Sequence, residues 1–448
     1  MPRDPTVAFR SNPITAPVKH QKVRFFFGLV FISSAALGCL SFAQTPAPTA
    51  TATANSSFEE LPELKASEIL KPEFLKGPHF TVREPVPTAS GANQFTIDSD
   101  FGVFTADGND MLVRRIKEIY AIARLKDVSK TDEFKKSLVA AAKSPYNAAK
   151  KIAQDPGQAI SNVPKGIMKF MGRARETIKH AAKGETEKSN GDTLQQVIGY
   201  TKTKRRIAIS MGVDPYSTNP VLQKALDDVA WASWAGGFTF SAATFPIGGP
   251  AGAALTVTNV SSSLDKLLKE KSPEELKEIN RQSLLAMGAA AKASNRLLNN
   301  KAFSPTDATA FVLNLKSLSG VADRGAFVRI AAEKSTSEPD ALFCVQTAAL
   351  MSKIHNGEHP LARIALLENF PIGIGKDGTV VVALQWDYAA WTSRAAAFTD
   401  ELQKLASESG GKKPVLVAIS GEMSPRLRQE LQNRGFTVQD RLSPGPLK

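Results

Sequence analysis

Cysteine is nearly missing from this chain: 448 residues contain only Cys39 and Cys344. A disulfide-stapled scaffold is therefore excluded, and stability must come from an ordinary hydrophobic core. Aromatic residues make up 7% and histidine occurs five times. The N-terminal apolar run, Phe25–Leu37, has 13 residues, short of the roughly 20 that span a bilayer as a helix. The chain has no P-loop, no G-x-S-x-G elbow, no C-x-x-C pair and no EF-hand loop, so the motif-borne chemistries are not announced. What is present is 42% apolar and 22% charged residues with 27 Pro and 30 Gly. That composition describes a globular protein of two or three domains, not a polytopic membrane protein, a collagen or a disordered chain.

The N-terminus carries an address. Lys19, Lys22 and Arg24 precede the apolar run, and Ser41-Phe42-Ala43 follows it. A basic region, a short apolar region and small residues at the cleavage position form a secretory signal peptide. Cleavage after Ala43 leaves 405 residues. Two alternatives use the same segment: an uncleaved anchor, and a lipoprotein acylated at Cys39 in Ala36-Leu37-Gly38-Cys39. The localisation expected is outside the cytosol, in the periplasm, outer envelope or medium. Beyond the signal, Thr45 to Ala54 is a Pro/Ala/Thr tether with nothing to bury. Cys344, in the apolar stretch Ala341–Val345, reads as a small buried hydrophobe.

The fold class expected is α+β, with a small N-terminal β element, a predominantly helical middle and a C-terminal α/β segment built as βαβ. The boundaries are 1–43 signal, 44–58 tether, 59–110 β element, 111–360 helices and 361–448 α/β segment. Strands are expected at Phe80–Val82, Phe95–Ile97 and Phe101–Phe104, with a Pro85/Pro87/Gly91 loop between the first two. Asp107–Asp110 ends the strands and caps a helix beginning near Met111. Ser272-Pro273-Glu274-Glu275 is a capping box, Ser304 to Asp307 has a similar form, and Asn219 caps a helix opened by Pro220. Towards the C-terminus, Ile364–Leu367 and Thr379–Leu384 read as strands and Asp387–Leu405 as a helix. Pro414–Ile419 reads as a buried strand, followed by a helix opened by Ser424-Pro425 and ended by Gly435. Phe436–Val438 is then a strand parallel to the earlier one.

The formal net charge is +13, and its placement is uneven. Arg114 to Arg206 holds 22 Lys/Arg against 9 Asp/Glu, and the rest of the mature chain nets −4. At helical spacing, Ile167, Phe170, Met171, Ala174 and Ile178 share one side of Lys165–Lys183. Lys165, Lys169, Arg173, Arg175, Lys179 and Lys183 share the other. This is a basic amphipathic helix, the form that lies on anionic membrane surfaces or binds an envelope polyanion. The plainer alternative is a domain helix whose apolar side is in the core. Nucleic acid is not expected as a partner, because aromatic stacking residues and recognised motifs are lacking.

Four further features invite functional readings that their context weakens. Val229–Leu264 runs 36 residues without a charge, but its Gly, Pro and Thr/Ser content favours a core segment over a bilayer-dipping hairpin. His355-Asn356-Gly357-Glu358-His359 matches H-x-x-E-H, yet Asn356-Gly357 is a turn pair and Pro360 follows. Gly373 to Gly378 matches G-x-G-x-x-G but leads into a strand, as a hairpin turn would. Ser420–Ser424 joins a strand to a helix, where an anion meets free amides in some proteins. No catalytic, metal or cofactor-binding residue is assigned and no cofactor is expected. The leading expectation is an exported bacterial envelope protein, non-catalytic, held at anionic surfaces by the 165–183 helix. The alternative is a secreted hydrolase acting on envelope or extracellular polymers through carboxylates distant in sequence.

Overall fold

The computed structural model describes residues 57–143, 190–241, 261–407, 413–443 and 445–448, all within one compact unit, Ser56–Lys448. Six strands come first: β1 (Glu63–Lys65), β2 (Lys76–Gly77), β3 (Phe80–Val82), β4 (Pro85–Ala89), β5 (Ala92–Ser99) and β6 (Gly102–Asp107). Two single-turn helices, α1 (Ala66–Ile69) and α2 (Pro72–Leu75), separate β1 from β2. The hub is β5, antiparallel to β3, β4 and β6. Period-2 alternation sends Phe80, Val82, Phe95 and Ile97 to one core, as a half-buried sheet requires.

The expected Pro85/Pro87 loop is in fact strand β4, paired with β1 through Glu63↔Pro87 and with β5 through Thr88↔Asn93. Both prolines face outward while Val86 and Thr88 are buried. Proline's fixed φ suits extended backbone, and Pro85 and Pro87 lie where β4 pairs with β1 alone, so alternation outweighs the loop signal.

The middle is helical: α3 (Asn109–Lys130), α4 (Asp132–Lys143), α5 (Asn190–Ser210), α6 (Pro220–Gly236) and α7 (Ser261–Glu270). It continues through α8 (Pro273–Ala286), α9 (Ala291–Leu298), α10 (Pro305–Ser317), α11 (Arg324–Lys334) and α12 (Glu338–His355). The caps at Asn219, Ser272 and Ser304 form as the sequence dictates, whereas Asp107–Asp110 supplies no side-chain cap to α3, whose cap position is Gly108. Asn219 Oδ1 accepts from Val221 N at 3.0 Å and Leu222 N at 3.3 Å. Ser272 and Glu275 complete a reciprocal box, and Ser304 Oγ accepts from Asp307 N at 3.0 Å. The long helix α3 joins two cores. Its first half, including Leu112, Ile116 and Ile119, packs on the β1–β6 sheet. Its second half, including Ile122 and Leu125, packs with α4, α5 and α6.

The C-terminal layer holds β7 (Leu361–Leu367), β8 (Phe370–Gly375), β9 (Val380–Leu384), β10 (Tyr388–Ala389), β11 (Val415–Ile419), β12 (Glu422–Met423) and β13 (Thr437–Gln439), with helices α13 (Ser393–Ser407) and α14 (Pro425–Asn433). Five strands run in the order β13-β11-β9-β8-β7. β7, β8 and β9 are antiparallel neighbours, whereas β9, β11 and β13 are parallel. Val381, Ala383, Leu416 and Ala418 face the α8–α12 helices, and Val380, Val382, Val417 and Ile419 face α13 and α14. Burial on both faces is why β9 and β11 read as uninterrupted apolar runs. The architecture is therefore α+β, with an antiparallel N-terminal sheet and a mixed C-terminal one.

One helix boundary needs correction. Asp387–Ala390 does not belong to α13, because Tyr388 and Ala389 pair with Glu422 and Met423 as a short parallel ladder. The helix starts only after Thr392, whose Oγ1 accepts from Ala395 N at 3.2 Å. Of the uncharged Val229–Leu264 stretch, Val229–Ala232 are buried in α6 and residues 261–264 belong to α7. Residues 242–260 lie outside the described residues. Among the described residues no helix is long and apolar enough to cross a membrane.

Because α3 carries both cores, Ile122→Ala is expected to cost about 2–5 kcal/mol of stability. Urea unfolding followed by far-UV circular dichroism checks this; a loss below about 1 kcal/mol would show that the site refills without strain.

Candidate functional site

The six cations expected to bind anionic surfaces, Lys165, Lys169, Arg173, Arg175, Lys179 and Lys183, lie outside the described residues, as do the signal segment and Cys39. The described flanks of the basic stretch are less positive than a count implies. Arg114 Nη2 lies 2.9 Å from Asp307 and Nη1 3.3 Å from Glu338. Arg115 pairs with Glu118 at 2.8 Å, Lys130 with Asp127 at 2.9 Å and Lys204 with Asp227 at 2.5 Å. Folding thus matches Arg114 and Lys204 with acids outside the counted stretch, whereas Glu118 and Asp127 lie within it, three residues from their partners.

Around Arg114 these pairs extend into a buried polar junction. Arg114 and Glu118 project from α3, Asp307 from the first turn of α10 and Glu338 from that of α12. The Asp214–Asn219 loop closes the gap between them. Thr218 Oγ1 donates to Glu338 at 2.7 Å, Asn219 Nδ2 donates to Glu118 at 2.9 Å, and the Ser217 hydroxyl donates to the other Glu118 oxygen. Asp214 accepts from Thr306 Oγ1 at 2.6 Å and Tyr216 N at 2.8 Å. Burial pushes the Asp214 carboxyl up to about 6 against the pull of Arg114. For Arg114 itself burial acts downward, but Asp307, Asp214 and Glu338 outweigh it and the net shift is upward. Carboxylates at helix starts also meet the positive end of the dipole. The junction is built to fix helices: Arg114, Glu118, Asp307 and Glu338 are paired, while Asp214 Oδ2 is buried with no hydrogen-bond partner among the described residues.

A second junction sits at the C-terminal ends of β9 and β11, where open parallel sheets commonly carry their ligand sites. Here the chain's own side chains fill that rim. Asp387, 5% exposed, accepts on Oδ2 from Asn93 N and Asn109 N, each at 3.0 Å. Asn93 Nδ2 donates to Asn109 Oδ1 at 3.0 Å. The α3 cap position is Gly108 (φ 104°), which has no side chain to offer, so Asp387 supplies the missing cap from the opposite sheet. The segment is threaded tightly. A Cβ on Gly91 (φ 86°) would lie 2.5 Å from the Trp386 ring, and one on Gly421 2.0 Å from the Asp387 carbonyl oxygen.

Burial raises the Asp387 carboxyl to about 7; the two amides oppose this and nearby Asp110 adds to it. Asp110 retains solvent exposure as a residue, yet its dense surroundings push its carboxyl up to about 6 against the pull of Arg114. Gln385 Nε2 donates to Asp110 at 3.4 Å. Two neighbouring carboxyls with proton affinities raised towards neutrality are an arrangement acid–base chemistry uses. The sequence signal was a charged residue placed soon after the fully buried strand β9, and it was absorbed into an expected helix.

The remaining motifs resolve locally. His355 is the last residue of α12, so His359 shares no helix face with it; His355 Nδ1 accepts from Leu361 N at 3.0 Å. Among the described residues no group of three His, Cys, Asp or Glu is placed to hold a metal ion. Gly373–Gly378 is the β8–β9 hairpin, with Gly378 at φ 86°. Cys344 is buried, and its thiol is pushed up to about 12 by that burial, far from thiolate reactivity. Ser424 Oγ accepts from Leu427 N at 3.0 Å and donates to Glu59 at 2.6 Å, so the α14 start already holds a carboxylate.

Asp387 generates a pH prediction. Its folded value near 7 lies above the ordinary 3.8, so the folded chain keeps a proton that the unfolded chain loses as pH rises from about 4 to about 7. Stability from this site falls over that window, by at most about 4 kcal/mol. Asp387→Asn imitates the protonated form and is expected to flatten the slope of urea midpoints between those pH values. An unchanged slope would assign the dependence to other groups.

Comparison with protein-family models, curated proteins and solved structures finds no match.

Proposed function

We propose that this is an exported bacterial envelope protein, non-catalytic, that associates peripherally with anionic membrane surfaces or an envelope polyanion through Lys165, Lys169, Arg173, Arg175, Lys179 and Lys183. One observation carries the reading: an export-type N-terminus precedes a chain whose basic surplus is concentrated between Arg114 and Arg206. Ion pairing on the described flanks supports placing the effective charge on the 165–183 stretch, since Arg114, Arg115 and Lys204 already face acids. The two buried junctions support the non-catalytic part, because Asp214 orders a loop and Asp387 caps α3. Attraction of this type scales with the number of cations near the surface and is screened by salt.

Flotation of the mature protein with vesicles tests the reading. Anionic vesicles are expected to bind it at low salt and release it at high salt. Replacing the six cations by Gln is expected to weaken binding at least about 100-fold, since each is worth about 1 kcal/mol near the surface. Equal binding to neutral vesicles, or none at low salt, removes the proposal.

The second reading, a secreted hydrolase of envelope or extracellular polymers, is favoured by the Asp110–Asp387 pair with its raised proton affinities. Of the two, Asp110 is the group open to solvent and would be the acid or base. Polymer hydrolysis by the mature protein that Asp110→Asn abolishes without unfolding it would displace the leading reading.

A further inference from the structure

The first described residues dock far from their neighbours in sequence. Glu59 N donates to Trp391 O at 2.8 Å, and Trp391 N returns a bond to Glu59 Oε2 at 2.6 Å. Ser424 Oγ donates to the same carboxylate oxygen at 2.6 Å. Arg426 Nη2 donates to the Ser57 carbonyl at 2.7 Å. These bonds use two main-chain groups and one side-chain carboxylate of the strap. Phe58, between them, is 37% exposed.

The receiving side is prebuilt. The β10–β12 ladder with Ser424 N to Ala389 O at 2.8 Å holds the Trp391 and Ser424 loops together through bonds that the strap does not make. Arg434 lies over the Trp391 ring at 4.8 Å. The strap is also separable. Its next anchors are the Pro62 carbonyl, which accepts from Thr88 Oγ1 at 2.8 Å, and the β1–β4 pairing from Glu63 onward. Lifting 57–59 breaks none of these. Backbone bonds at fixed spacing, with one carboxylate seated between an amide and a hydroxyl, are the means by which surfaces recognise extended peptides.

We infer that the surface formed by Trp391, Ser424 and Arg426 is a receptor for a short extended peptide carrying a glutamate, filled in cis by Ser57–Glu59. An acidic segment of another polypeptide occupies it when the strap lifts. The strap adjoins the Pro/Ala/Thr tether, so a pull on the tether reaches this contact before any strand is disturbed. The inference does not depend on the basic segment or on the Asp110–Asp387 pair.

Hydrogen exchange at the Trp391 amide tests it in the whole mature chain. Replacing the strap (Ser57→Gly, Phe58→Gly and Glu59→Gly together) is expected to speed that exchange about tenfold or more, with near-UV circular dichroism unchanged. Millimolar acetyl-Ser-Phe-Glu-Glu-amide is expected to restore at least half of the lost protection. The same peptide with Gln for its first Glu is expected to restore little. No restoration, or equal restoration by both peptides, overturns the inference. A milder variant, Glu59→Gln alone, keeps the strap and loses the charge-assisted bonds, and is expected to speed Trp391 exchange about threefold or more; unchanged exchange there also overturns it.

Discussion

The amides at the start of α3 have no cap of their own. Gly108 occupies the cap position without a side chain, and the need is met by a carboxylate 278 residues later, when Asp387 accepts from Asn109 N. The same oxygen accepts from Asn93 on β5, so one group joins the N-terminal sheet, α3 and the segment that follows β9. Buried backbone donors must be satisfied, which makes this contact a condition for the three elements to meet. Gly91 and Gly421 follow from it, since side chains there would collide with Trp386 and with the Asp387 carbonyl. A carboxyl enclosed this closely resists ionisation, and its upward shift is a result of the packing.

The helical middle depends on a comparable arrangement of opposite character. Arg114 reaches Asp307 and Glu338, Arg115 reaches Glu118, and the Asp214–Asn219 loop supplies hydroxyls and an amide to the remaining carboxylate oxygens. Charges withdrawn from water are tolerated only when so compensated. This changes the meaning of the basic count: part of the excess between Arg114 and Arg206 is internal structure, and only the remainder is available to a partner.

Much of the fold was legible because its signals are local. Caps at Asn219, Ser272 and Ser304, the Gly378 hairpin and the Gly435 stop depend on residues within about four positions. The parallel pairing of β11 with β13 followed from the short helix between them. The departures have a shared cause. Pro85 and Pro87 read as a loop, but pairing with β1 made β4; Asp387–Ala390 read as helix, but the 422–423 strand drew Tyr388 and Ala389 into a ladder. Each was decided by a partner strand distant in the chain. The candidate site was less legible than the fold, since Asp110, Asp387 and Glu59 match no motif and their significance lies in what surrounds them.

The sequence by itself determined the order of strand-rich, helical and α/β regions, the helix boundaries with strong caps, the burial of Cys344 and the concentration of positive charge. All of these rest on neighbours along the chain or on simple counts. Only the tertiary structure decided which carboxylates are enclosed together, which cations are already matched, and that the parallel-strand ends are filled by Glu59 and by the β5–α3 contact with Asp387. Desolvation and charge proximity fall off over a few ångströms in space, and the groups that set them here stand hundreds of residues apart.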